Sequence, residues 1–160
     1  MSTIEKKSVT AGKYVSAEHL DALISNYKRE RWIHNSDRMG EEDSMGVYFS
    51  LEGLEEFIRS AKESGAEGIN VYFGVYGGKA HRPEMEGKQT VALVATRSEE
   101  TYGDTMVTMN SDPGSGIPDT MMPIYNVGRL FPSSHRINIP GNKALGLAIV
   151  TDKNGDMRLV

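Results

Sequence analysis

Residues 47–76, VYFSLEGLEEFIRSAKESGAEGINVYFGVY, decide the fold class. Val47, Tyr48 and Phe49 read as a short strand that stops at Ser50, a residue whose hydroxyl accepts from a free N–H at a helix start. Leu51, Leu54, Phe57, Ile58 and Ala61 then recur at helical spacing, and Gly65 supplies the left-handed stop. From Ile69 the period changes to two. Ile69, Val71, Phe73 and Val75 alternate with Asn70, Tyr72, Gly74 and Tyr76, the pattern of a strand with one apolar face.

Working outward, Ser16 opens an earlier helix expected over 16–32, with Leu20, Leu23, Ile24 and Tyr27 on one face and Trp32 near its end. Residues 35–44 read as a polar connection, and residues 1–13 as loosely ordered. Gln89 to Thr96 is nearly continuously apolar, which suits a central strand. Residues 105–109 form a weaker strand candidate, and 146–151 a last substantial one. Asn154-Gly155 signals a hairpin returning through Met157 to Val160. Residues 110–142 hold five of the six prolines, so a long irregular segment is expected there.

This order of elements predicts an α+β fold. The expectation is a single domain over 1–160, with two main helices and a mixed or largely antiparallel sheet of four to six strands. Strands 68–76, 89–96 and 146–151 are expected to pair in one sheet, burying Leu54, Phe57, Ile58, Val71, Phe73, Val91, Leu93 and Ile149.

Composition narrows function mainly by exclusion. Eighteen Lys and Arg against 22 Asp and Glu give a net charge of −4, which argues against nucleic acid or an anionic membrane as partner. With no cysteine there is no disulfide, thiolate nucleophile or Cys-bound metal. No apolar run reaches membrane-spanning length, and Met1 to Val9 lacks the apolar core of a signal peptide. These features predict a soluble cytoplasmic protein.

Three stretches carry a resemblance: 44–50 (SMGVYFS), 68–76 (GINVYFGVY) and 89–96 (QTVALVAT). Their order resembles a group of small uncharacterised bacterial proteins, chiefly from Bacteroidetes, with G-I-x-I-Y-F-G-x-Y and T-V-x-L-V-x-T strands. The resemblance implies a bacterial source and an architecture, and no activity. Similar proteins tend to carry Cys-Pro-Pro where this chain has Leu130-Phe131-Pro132-Ser133-Ser134, so a thiol role there does not apply.

No catalytic set, metal site or cofactor motif emerges. Tyr72 and Tyr76 share a strand face, with His81 and Arg82 just beyond, which makes these four the candidate ligand-binding group. His34, Asp37 and Glu41-Glu42-Asp43 offer oxygen ligands but lack the glycine turns that make acids converge, and a solvated linker explains them better. Ser133, Ser134 and His135 lack a nucleophile elbow. Met121, Met122, Ile124 and Tyr125 are the candidate interaction surface, adaptable apolar groups in the proline-rich segment. The leading reading is a non-enzymatic interaction or self-associating module with a protein partner. The alternative is a small enzyme or ligand-binding protein using Tyr72, Tyr76 and His81.

Overall fold

A computed structural model of the chain describes residues 11–78, 82–96, 123–132 and 145–160. The expected strand at 105–109 and the serines at 133 and 134 with His135 lie outside the described residues. What is described is an α+β fold with antiparallel strand pairing and two main helical bodies.

The first body begins where the sequence placed it. The Ser16 hydroxyl accepts from the His19 N–H at 3.2 Å and opens α1, Ala17–Tyr27. It does not stop at Trp32. A π-helical stretch, Lys28–Trp32, continues into α2, Ile33–Met39, so much of the expected polar connection is helix. The physical reason is burial: Trp32 and Ile33 are both within 1% of full burial and hold the chain helical past the last large apolar residue. Termination falls to Gly40, whose φ of 76° is the left-handed cap and whose N–H donates to the Ser36 carbonyl.

The second body, α3 (Leu51–Glu63), matches expectation at both ends. Ser50 accepts from the Gly53 N–H at 3.1 Å, and the chain leaves through Gly65. Its buried face is Phe57 and Ala61, packed on Ala95 with Leu93 and Tyr125 alongside.

Among the described residues the strands fall into three small groups and not into one sheet. β1 (Gly46–Tyr48) pairs with β5 (Arg129–Phe131). β2 (Gly68–Val75), β3 (Gln89–Thr96) and β4 (Ile124–Tyr125) form a three-stranded sheet in that order. β6 (Ile149–Thr151) pairs, among the described residues, with β7 (Met157–Leu159), joined by a turn in which the Asp152 carboxylate accepts from the N–H groups of Asn154 and Asp156. The 146–151 segment therefore does not join β2 and β3; it covers Trp32 instead, through Ala148 and Val150. Two of the strands, β4 and β5, lie within the stretch expected to be irregular. Gly128 makes their connection possible: a Cβ there would collide with the Val47 and Phe49 side chains and the Tyr48 carbonyl.

The expected core is corrected at four positions. Phe57 is buried, and Leu54, Val91 and Leu93 are half-buried, but Val71, Phe73, Ile149 and Ile58 are exposed. Along 147–150, leading into and through β6, the smaller Ala148 and Val150 turn inward and the larger Leu147 and Ile149 outward. Trp32 fills the space beneath, leaving room only for small partners.

Candidate functional site

β2 and β3 pair without interruption from Gly68↔Thr96 to Val75↔Gln89. Directly opposed residues of an antiparallel pair share a face. Ile69, Val71, Phe73 and Val75 therefore lie on the same side as Ala95, Leu93 and Val91. That is the side on which α3 sits, but α3 rests on β3 and β4 and does not reach across β2. The outcome is an uncovered apolar row among the described residues: Ile69 is 39% exposed, Val71 58%, Val75 61% and Phe73 82%.

Phe73 also forms one rim of a cleft of about 250 Å³. Leu23, Ile24 and Tyr27 of α1 make one wall, Met45 to Val47 another, and Gln89 to Val91 the floor. Its lining is apolar except for Ser44, Gln89, Thr90 and the Tyr27 hydroxyl, which donates to Gln89 Oε1 at 2.9 Å. Burial, reinforced by the charge of Asp43, pushes the Tyr27 hydroxyl up to about 12, so it stays a donor at neutral pH.

Behind that wall Asp43, 1% exposed, ties the helical region to the sheet. Its Oδ1 accepts from the N–H groups of Ser44 and Gln89, both at 2.8 Å, and its Oδ2 from Asn35 at 3.1 Å. Its backbone carbonyl accepts from the Trp32 indole at 2.9 Å, and its N–H donates to Ser36 Oγ. Every acceptor atom of the carboxylate is in use, which is the signature of a structural rivet. A second cleft, of about 450 Å³, opens on its far side between Glu41, Glu42, Arg82, Glu84, Lys88 and Arg129. Lys88 pairs with Glu41 at 3.2 Å there and donates to the Glu42 carbonyl.

The residues singled out from sequence fall as follows. Tyr72 and Tyr76 do share a face, the one opposite the apolar row. Tyr76 donates to Asn126 Oδ1 at 2.9 Å, and Asn126 in turn donates to the Val91 carbonyl, so Tyr76 fastens β2 to the chain beyond β4. Neither tyrosine lines either cleft; Arg82 lines the charged one. His81, Met121 and Met122 lie outside the described residues. Ile124 is exposed, whereas Tyr125 is an anchor, its ring 5.3 Å from those of both Phe49 and Phe57. Gly53 on α3 admits that ring, since a Cβ there would meet the Tyr125 hydroxyl. Among the described residues no three His, Asp or Glu side chains are grouped to hold a metal ion. His34 is exposed, Asp37 accepts from the Lys153 N–H, and Asp43 is buried, so that acidic run diverges.

Sequence reasoning found the β2 row as a row but assigned it to the core. The signal available was the absence of any charge or proline from Gly68 to Gly78. No helix among the described residues is long and apolar enough to cross a membrane. No protein-family model, curated protein or solved structure matches this chain.

Proposed function

We propose that this chain is a non-enzymatic interaction module of the cytoplasm whose docking surface is the apolar row of β2. The observation that carries the reading is Phe73, 82% exposed in the middle of a regular strand and flanked by Val71 and Val75. Leaving such a row in water forgoes about 25 cal/mol for each Å² of apolar surface, and contiguous apolar patches of this kind mark contact sites. The mixed cleft beside Arg82 and the satisfied polar hub at Asp43 supply scaffolding; among the described residues no group of three His, Asp or Glu side chains stands ready to hold a metal at either.

Because the chain has no cysteine, Phe73→Cys carries a single thiol. In dilute protein that thiol should react with a bulky maleimide at the rate of a free thiol, and the rate should drop when a partner covers the row. Protection of the thiol in dilute, folded monomer defeats the proposal, because the row is then covered by the chain itself.

A further inference from the structure

We propose that Asn154 is a self-modification site: its side chain deamidates through the backbone nitrogen of Gly155, and the folded turn between β6 and β7 holds that reaction back.

Asn154 differs from every other asparagine of the chain in being followed by glycine. Asn26, Asn35, Asn70 and Asn126 precede Tyr27, Ser36, Val71 and Val127, whose side chains crowd the next backbone nitrogen, and the first two also sit within helices. Asn35 and Asn126 spend their amides on Asp43 and the Val91 carbonyl, whereas Asn154 bonds through its backbone. Asn154 and Gly155 are exposed, and among the described residues no atom lies within 4 Å of where a Cβ on Gly155 would stand.

The reaction needs only water. The Gly155 nitrogen loses its proton and attacks Asn154 Cγ. The new N–C bond closes a succinimide ring, and Nδ2 leaves as ammonia with that proton. Water then opens the ring at either carbonyl, leaving aspartate or isoaspartate at 154. Nothing is oxidised or reduced.

The fold supplies the brake. Every backbone N–H from Asp152 to Asp156 has an acceptor. Gly155, left-handed at φ 87°, donates to the Asp152 carbonyl, and Asp152 donates to the Asp156 carbonyl, both at 3.0 Å. Asp152 Oδ1 takes the N–H groups of Asn154 and Asp156. The Lys153 N–H donates to Asp37 Oδ2 at 2.7 Å and its Nζ to the Asp37 carbonyl at 3.4 Å, so α2 grips the turn from outside. A hydrogen-bonded N–H gives up its proton only when local opening frees it. The attacking nitrogen is therefore available only in the open turn, and Asp37 and Asp152 set how often the turn opens.

Modification reaches the core through the hairpin. Isoaspartate routes the main chain through the side-chain carbon and lengthens it by a methylene, at the turn that sets the β6–β7 register. β7 carries the Arg158 guanidinium 5.4 Å from the centre of the Trp32 ring, and Ala148 and Val150 pack against Trp32. Disturbing that register loosens the cover over Trp32, the sole tryptophan of the chain.

The test follows aspartate and isoaspartate at 154 by peptide mapping during incubation in mildly alkaline buffer, beside hydrogen exchange at the Gly155 N–H and the emission of Trp32. The folded parent should convert at least roughly tenfold more slowly than the chain in urea, because conversion tracks the population of the open turn. Asp37→Ala and Asp152→Ala should fall between the two, each raising exchange and conversion by the same factor. Trp32 emission should move to the red as isoaspartate accumulates, and Asn154→Gln should hold it in place over the same time. No conversion at 154 in the unfolded chain overturns the site. Conversion as fast in the folded parent as in urea overturns the brake, as do variants that speed exchange at Gly155 and leave conversion unchanged. A red shift that also develops in Asn154→Gln overturns the link from the turn to Trp32.

Discussion

β2 and the β6 segment are both rich in apolar residues and meet opposite fates. Each puts alternate side chains on one face, yet the β6 segment buries Ala148, just before the strand, and Val150, while β2 leaves Ile69, Val71, Phe73 and Val75 in solvent. The difference lies in what stands opposite. Trp32 and Ile33 present a filled surface to β6, and polar clamps hold the strand entry against α1: Gly146 donates to Asp21 and accepts from Lys28, and Leu147 accepts from Ser25. Among the described residues β2 faces the far side of α3, whose buried residues end on β3 and β4, and the open cleft between Phe73 and α1, and neither covers the row. Alternation therefore tells which residues share a face, and the neighbouring element tells whether that face is inside.

The sharpest way to break the comparison is to remove the filler under β6. Trp32→Ala should cost about 3–5 kcal/mol, at the upper end because the Asp43 carbonyl also loses its indole donor. Urea denaturation measures it, and a loss under about 1 kcal/mol would mean that β6 is not held by Trp32.

Next in size is the rivet between the two regions. Asp43→Asn turns one carboxylate oxygen into an amide donor facing the Asn35 amide, which itself donates. The expected loss is about 1–3 kcal/mol. Asp43→Asn with unchanged stability shows that the helical region and the β2 sheet are coupled elsewhere.

A smaller effect appears at alkaline pH. Tyr27 packs against the Trp32 core, and burial raises its hydroxyl from 10.0 to about 12. The folded state thus holds that proton more tightly than the unfolded chain. Its contribution is complete below pH 10 and is lost as pH rises through about 12. Over that window the melting temperature of Tyr27→Phe should fall less steeply than that of the parent. Parallel curves place the alkaline loss on other groups.

The smallest effect is expected on β2 itself. Phe73→Ala should change the stability of dilute protein by no more than about 0.5 kcal/mol, as for an exposed side chain. A loss comparable to that of Trp32→Ala would erase the contrast between the strands and put Phe73 in a core.

Much of the candidate site was legible in part. The uncharged run from Gly68 to Gly78 and the alternation within it are plain in the sequence. Their exposure is not, because the same alternation describes a buried face equally well. Tyr72 and Tyr76 were paired correctly by period, but the fixing of Tyr76 by Asn126 involves residues 50 apart and leaves no local trace. Tyr125 looked like loop surface because nothing near it in the chain announces Gly53, Phe49 and Phe57 as its neighbours.

By itself the sequence determined what local chemistry controls. Ser16 and Ser50 open helices because their hydroxyls accept backbone N–H groups within one turn. Gly65 ends one of those helices because only glycine takes a positive φ cheaply, and Asn154-Gly155 turns a hairpin for a similar reason. The α+β class follows from those elements. Tertiary structure decided the rest: that the first helix runs on to Met39, that β6 leaves the main sheet to cover Trp32, and that the apolar row of β2 stays uncovered among the described residues. Each of these outcomes depends on which surfaces meet across long chain separations, and burial is a property of the pair of surfaces, not of either strand alone.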